Sequence, residues 1–312
     1  MTRAQDFAPQ TGVPLVLRDD LALVLAPNPS PMTHLGTNSY LLGRRNLVVI
    51  DPGPADETHL AALLDAIGGR KVDYILVTHS HLDHSALAPA LADQTGAPVC
   101  AFGTATAGRS AIMQKLVAQG MTGGGEGIDH RFQPDITLED GAVLSGDWGR
   151  ITARHTPGHI GNHLCFHWQD SLFSGDHVMG WASSLVSPPD GDLTDFMTSC
   201  HKLAKLQATA FFPGHGAPVP DPAARLDWLI AHRLQREAQI LATLAAGPAR
   251  PDELVAQIYT DLPPLLVAAA ARNVLAHLID LTGRGQVTAL PEPGLTAIFA
   301  LCDPTKAGRG RI

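Results

Sequence analysis

Thr78-His79-Ser80-His81-Leu82-Asp83-His84 decides how this 312-residue chain is read. Within it, His79, His81, Asp83 and His84 are four candidate ligands in one short run. Neutral imidazole and carboxylate are preferred nitrogen and oxygen donors for zinc and similar divalent ions. One ion has no room for all of them together with ligands from elsewhere, so the run predicts two adjacent metals. An isolated histidine among the 15 present would ordinarily be a surface or core residue. The clustering overturns that reading.

The segments flanking the run place it. Val72-Asp73-Tyr74-Ile75-Leu76-Val77 has the β-branched and aromatic content of a strand, and Ser85 to Ala92 is rich in Ala and Leu and predicts a helix. The ligands are therefore expected in a loop at the carboxyl end of a strand, where α/β proteins commonly bind ligands. Leu47-Val48-Val49-Ile50 is a second strand, feeding the turn Asp51-Pro52-Gly53. Leu164 to Trp168 and Ser171 to Ser174 read as strands around Gln169-Asp170, leading into Gly175-Asp176-His177. Thr156-Pro157-Gly158-His159 and Pro213-Gly214-His215-Gly216 set further histidines in turns. Gly103 to Arg131, with Gly123-Gly124-Gly125, predicts a helix and a loop forming a lid or rim over one face.

In their order, these motifs resemble the metallo-β-lactamase superfamily: an early Asp51, the T-H-x-H-x-D-H run at 78 to 84, then His159, Asp176 and His215. The resemblance implies a chain of the α/β (α+β) class, built as a four-layer αββα sandwich with the site at one edge of the paired sheets. It assigns His79, His81 and His159 to a first metal and Asp83, His84 and His215 to a second, bridged by Asp176. Asp51 would be a turn residue and not a ligand. Two divalent ions are the implied cofactors, zinc first, with manganese or iron accepted by the same donors. Between metals about 3.5–4 Å apart, a bridging water becomes hydroxide near neutral pH and attacks a substrate polarised by the ions. Asp83 would be the catalytic residue that orients it. His163 and His177, like His155, lie beside ligand motifs and are candidates to hydrogen-bond to ligands from behind, with plain structural packing as the alternative. His34, Trp181 and Ser184 are candidates for a pocket wall, with a core or rim role as the plainer alternative.

The composition changes after Gly216. Asp221-Pro222 is an N-cap followed by proline at the first helical position, and Leu226, Leu229, Ile230, Leu234, Leu241 and Leu244 recur at helical spacing. Further helices are expected from about Pro251 to Tyr259 and from about Pro264 to Leu281. Gln286 to Leu290 and Leu295 to Leu301 then form a hairpin, completing a winged-helix-like unit. The expected domains are residues 1–221, catalytic, and 222–312, winged-helix-like. Thr37 to Leu41, Leu185 to Phe196, His232 to Ile240 and Asn273 to Leu278 are similar to the β-lactamase-like protein 2 group, which joins these two units.

Bulk properties restrict the rest. A chain that is 45% hydrophobic and 17% charged is neither disordered nor fibrous. Met1 to Gln10 has no apolar stretch behind basic residues, and longer apolar stretches are interrupted by Arg272, His277, proline or glycine, so a cytoplasmic protein without membrane contact is expected. The four cysteines are scattered without a C-x-x-C pair, which suggests neither a cysteine zinc site nor a disulfide framework. A net charge of −8 argues against a surface that attracts nucleic acid over its whole extent.

The expected function is a metal-dependent hydrolase acting on an ester, thioester, lactone or phosphodiester, with a small molecule or single-stranded RNA as substrate. A single-strand endoribonuclease is the rival; Arg272 and Arg284 alone, without an aromatic row, give RNA limited support. A glyoxalase II-like thioesterase is a further alternative, against which stands Val178 to Leu185 in place of a glutathione-binding loop. A secreted β-lactamase is disfavoured by the absence of a signal peptide and by the Asp-His pair of the second site. Flavodiiron chemistry would need a flavodoxin-like domain. A non-catalytic metal scaffold would be favoured by a replaced ligand, but all seven positions hold competent residues. An apolar face on the C-terminal helices would support a homodimer.

Overall fold

The computed structural model describes residues 7–123 and 127–302. In chain order its first half contains β1 (Leu15–Arg18), β2 (Leu21–Leu25), β3 (Asn38–Leu42), β4 (Leu47–Ile50), α1 (Glu57–Ile67), β5 (Val72–Leu76), α2 (Leu82–Ser85), α3 (Ala88–Thr95), β6 (Val99–Ala101), α4 (Ala111–Ala118) and β7 (Ile136–Thr137). The strands form one sheet in sequential order. Pairing is antiparallel from β1 to β4 and parallel from β4 to β7. A second sheet has the order β12-β11-β10-β9-β8. It uses β8 (Val143–Gly146), β9 (Gly149–His155), β10 (Leu164–Trp168), β11 (Ser171–Gly175) and, after α5 (Leu193–Leu203), β12 (Ala210–Pro213).

Strand periodicity explains the four layers. Every residue of β4 is buried, Val48 and Ile50 facing the second sheet and Leu47 and Val49 facing helices, because successive side chains point to opposite faces. Between the sheets, Leu23, Leu42 and Ile50 meet Phe166, Phe173 and Phe212. Outside the first sheet, Leu63 and Ile67 of α1 and Leu91 of α3 cover Ile75 and Val99. Outside the second, Phe196 and Leu203 of α5 cover Leu172 and Phe211. Each such side chain contributes roughly 1.5–3 kcal/mol on burial. The αββα sandwich is therefore present.

The C-terminal unit comprises α6 (Pro222–Leu244), α7 (Pro251–Ile258), α8 (Val267–Gly283), β13 (Val287–Leu290) and β14 (Ile298–Leu301). Asp221 caps α6 by accepting from Ala224 N at 3.0 Å. Leu226 and Leu229 of α6 belong to the core under the second sheet, whereas Ile240 and Leu244 join Leu254, Val274, Leu278 and Phe299 in a separate C-terminal core. Met113 and Leu116 of α4 also enter that core, so the expected rim helix is packed against the C-terminal unit.

Three expectations change in detail. Ser85 to Ala92 is not one helix: α2 ends at Ser85 and α3 begins at Ala88, with Pro89 in its first turn. The Pro264 helix begins as a 3₁₀ turn, Pro264–Leu266, before α8. Together these span Pro264–Gly283, 20 residues of mean hydropathy 1.4, long and apolar enough for a membrane span despite Arg272 and His277. The apolarity has a structural use, since Val274, Leu275, Leu278, Ile279 and Leu281 fill the C-terminal core. Of the glycine run, Gly124 and Gly125 lie outside the described residues.

Candidate metal centre

β4, β5, β9, β11 and β12 all deliver their carboxyl ends to one edge of the sandwich, followed respectively by Asp51, the 78–84 run, His159, Asp176 and His215. Backbone bonds stitch this edge across the two sheets: Leu164 N donates to Thr78 O at 2.7 Å and Asn38 N to Gly214 O at 2.8 Å. Asp83 and His84 lie on the short α2, not in the preceding loop.

All seven expected ligands converge here. One group contains His79, His81, His159 and Asp176; the other contains Asp83, His84 and His215; within each, one ligand atom per residue lies within 4.8 Å of the others. Asp176 touches both, its Oδ2 lying 3.7 Å from His159 Nε2 and 3.4 Å from His215 Nε2. In the second group His215 Nε2 is 3.2 Å from Asp83 Oδ2 and 3.2 Å from His84 Nε2.

The outer bonds of the imidazoles define their tautomers. His159 Nδ1 lies 2.7 Å from Leu185 O and His215 Nδ1 3.1 Å from Gly36 O; a carbonyl only accepts, so both Nδ1 atoms carry hydrogen. His84 Nδ1 donates to Asp51 Oδ2 at 2.9 Å. Thr78 Oγ1 donates to Asp51 Oδ2 at 2.8 Å, so it receives the proton of His79 Nδ1 at 2.9 Å. Rings held this way turn four Nε2 atoms inward. With His81 Nδ1 at 2.9 Å from His79 Nε2 and 3.1 Å from His159 Nε2, one shared proton cannot satisfy the convergence, and a cation does. The residues fit divalent metals.

Electrostatics separates the two groups. Burial holds His79 well below the usual imidazole range and pushes His81 down to about 3, with neighbouring histidines adding to the effect. Burial also opposes charge on His84 and His215, but Asp83 and Asp176 outweigh it. His84 is raised well above its ordinary value and His215 to about 9. Burial would raise Asp83 as well, yet His84 and His215 hold it below the usual carboxylate range.

His163 and His177 support the centre by packing. His163 stacks on His79 with ring centroids 5.2 Å apart and accepts or donates at Thr156 Oγ1, 2.9 Å away. His177 lies against Phe196 at 4.5 Å and reaches Cys200 Sγ at 3.6 Å. His155 stacks on Phe102 and bonds Gly161 O at 2.9 Å. The polar support comes instead from Asp51, whose Oδ1 also accepts from Thr78 N at 2.7 Å, and from the Leu185 and Gly36 carbonyls. A carboxylate at a strand end adjoining the ligand-bearing strand is the one signal that could have marked Asp51.

A cavity of about 860 Å³ opens over the centre, with His81, Asp83, His159, Asp176 and His215 on its floor. Trp181 lies in its wall, in ring contact with His34 at 4.9 Å, while Ser184 supplies a carbonyl to Arg233. The opposite wall comes from the C-terminal unit: Arg233 and Arg236 of α6, Tyr259, Leu262, Leu265, Leu266, and Ala268, Ala269, Ala270, Arg272 and Asn273 of α8.

The metallo-beta-lactamase superfamily model matches residues 32–215, and the beta-lactamase associated winged helix domain matches residues 251–292. This chain belongs to the metallo-beta-lactamase superfamily. Among metallo-beta-lactamase relatives, the beta-lactamase-like protein 2 homolog of Drosophila melanogaster is 31% identical over 288 residues, covering 88% of this chain and 92% of its own length. An atrochrysone carboxyl ACP thioesterase of Aspergillus fumigatus is 30% identical over 268 residues, covering 80% and 76%. The crystal structure of a metallo-beta-lactamase family protein from Thermus thermophilus superposes with a TM-score of 0.72 at 26% identity, covering 92% of this chain and all of that one. The protein is thus a metallo-beta-lactamase superfamily hydrolase carrying a winged-helix domain, and its His and Asp clusters are a candidate dinuclear metal site.

Proposed function

We propose that this protein hydrolyses an acyl thioester whose acyl chain lies in the cleft between the sandwich and the C-terminal helices. The observation that carries the reading is the shared cavity: candidate ligands form its floor, and Met32, Trp181, Leu185, Leu262, Leu265 and Leu266 give it apolar walls. Such walls stabilise an acyl chain by roughly 25 cal/mol per Å² removed from water. Single-stranded RNA would need a cationic track with aromatic platforms for several successive bases, whereas the arginines of this cavity are gathered on its C-terminal wall and its aromatic rings, Trp181 and Tyr259, form no row. The Aspergillus fumigatus relative, named as an ACP thioesterase, supports the choice of thioester over oxygen ester.

Two divalent ions held by the seven ligands, zinc being the best match to imidazole and carboxylate donors, would supply Lewis-acid polarisation of the acyl oxygen and acidify a water. Asp83, 24% exposed and facing the cavity, is placed to accept a proton from the attacking water. His81 and His159 fix the floor, while the apolar walls exclude competing solvent. The test is turnover by metal-quantified protein of S-acyl-N-acetylcysteamines of increasing chain length, with oxygen esters, lactones and labelled single-stranded RNA in parallel and His81→Ala as control. Thioester kcat/KM that rises with chain length and is lost in the variant supports the reading. Metal-dependent RNA cleavage with inert thioesters overturns it in favour of a nuclease.

A further inference from the structure

We infer that the α6 wall of the cleft is an oxyanion-binding subsite, in which Arg233 and Arg236 receive a carboxylate or phosphate carried by the substrate. Arg233 is only 4% exposed, lines the cavity, and forms no ion pair among the described residues. Its Nη1 donates to Asn273 Oδ1 at 3.1 Å, its Nη2 donates to Ser184 O, and its Nε is buried without a partner. These neutral acceptors solvate the guanidinium without cancelling its charge. Burying an unpaired charge costs several kcal/mol, which an anionic ligand would offset.

A purely structural role for Arg233, as a strut between α6 and the Ser184 carbonyl, leaves Arg236 unexplained. Arg236 stands three residues further along α6, close enough for like charges to repel. It too lines the cavity without an ion pair among the described residues; its guanidinium lies 3.9 Å over the Tyr259 ring, and its Nε is buried and unpartnered. His277, buried beside both arginines with neither ring nitrogen bonded, is held well below the usual imidazole range, first by burial and then by the charge of the pair, so no histidine proton competes for an anion there. This concentration of positive charge occurs in a chain of net charge −8, so overall composition does not account for it.

The inference deepens the thioesterase reading and rests on it for the scissile bond: the substrate is an acyl thioester with an oxyanion on either its acyl part or its leaving group. Both sources present the same chemistry to a guanidinium fork. Three thioesters of equal acyl length separate them: a neutral S-acyl-N-acetylcysteamine, its ω-carboxyacyl counterpart, and the S-acyl ester of 4′-phosphopantetheine. Each is assayed with metal-loaded wild type, Arg236→Gln and Arg236→Lys. Wild type is expected to prefer one anionic substrate over the neutral one, and Arg236→Gln to erase that preference by about 10- to 100-fold, with partial rescue by lysine. Preference for the phosphate assigns the oxyanion to the leaving group; preference for the carboxylate assigns it to the acyl chain.

Equal losses on neutral and anionic substrates, or no preference in wild type, overturn the subsite. If no thioester turns over, the thioesterase reading fails and calorimetry with free 4′-phosphopantetheine and adipate decides the subsite separately. An affinity about tenfold weaker in Arg236→Gln for either probe sustains it, and unchanged affinity for both removes it.

Discussion

Arg233 and His159 are held by consecutive backbone carbonyls, Arg233 Nη2 donating to Ser184 O and His159 Nδ1 to Leu185 O. The next residue, Val186, donates its N–H at 3.1 Å to Asn273 Oδ1, which also accepts from Arg233. The C-terminal unit is thereby wired to a candidate ligand through three successive residues. Arg233→Met should lower affinity at the first metal position about tenfold, because Leu185 O loses its fixed place. Zinc competition against a chromophoric chelator measures this, and an unchanged constant would show that the loop segment holds His159 without α6.

Asp51 accepts from Thr78 N, Thr78 Oγ1 and His84 Nδ1. Asp51→Asn replaces an acceptor oxygen by an NH₂ that faces donors. A 10- to 100-fold loss of metal affinity is expected, with the loss of kcat following metal content. Titration of activity against added zinc separates the two: recovery at saturating metal is the expected result.

Gly214 has ordinary backbone geometry but no space for a methyl group. A Cβ there would lie 2.5 Å from His84 Cε1 and 2.6 Å from Asp176 Oδ1. Gly214→Ala should therefore displace a ligand of the second group and the bridging carboxylate together. The expected phenotype is a folded protein with less than two equivalents of bound metal, read by elemental analysis beside a thermal melt.

Metal loading should release protons. Asp83 and Asp176 keep His84 raised and His215 at about 9, and a metal takes only the neutral imidazoles. Affinity is thus expected to climb with pH from neutrality towards 9. Calorimetry at pH 7 in buffers of differing ionisation enthalpy reads the released protons directly; a heat independent of buffer would contradict the assignment.

Acid should destabilise the metal-free protein well before its carboxylates titrate. Burial pushes His177 down to about 3 and His59 to about 4, against 6.5 for a free imidazole. Between those values the unfolded chain binds more protons than the folded one, so the stability these two residues contribute is complete above about 6.5 and declines as pH falls towards 3. Urea midpoints across that range, compared between EDTA-treated wild type and His177→Phe, should show a shallower slope in the variant.

What the chain discloses by itself follows from how local each signal is. The 78–84 run is contiguous, and β5, β10 and β11 carry strand periodicity in their own residues, so all were readable. Asp51 and Thr78 are 27 positions apart and meet only because β4 and β5 pair in parallel, which no local pattern announces. Leu185 and Gly36 act through carbonyls, and a carbonyl leaves no trace in residue identity. Arg233 and Arg236 look like the solvated face of an amphipathic helix until tertiary packing removes the solvent. Pro89 was visible, but the uninterrupted run of Ala and Leu around it masked the break between α2 and α3.

α6 runs for 23 residues with its only proline in the first turn and no glycine, and it contributes side chains to two separate cores. At 1.5 Å per residue it is a spar about 35 Å long, without the residues that usually make a helix bend. The wall it provides is rigid architecture and not a door. On the proposed thioesterase reading, substrate length would be gauged by side chains such as Leu262 and Leu265, which line the cavity from the segment between α7 and α8. Changing those side chains, with no change to the metals, is how this scaffold would be retuned from one acyl chain to another.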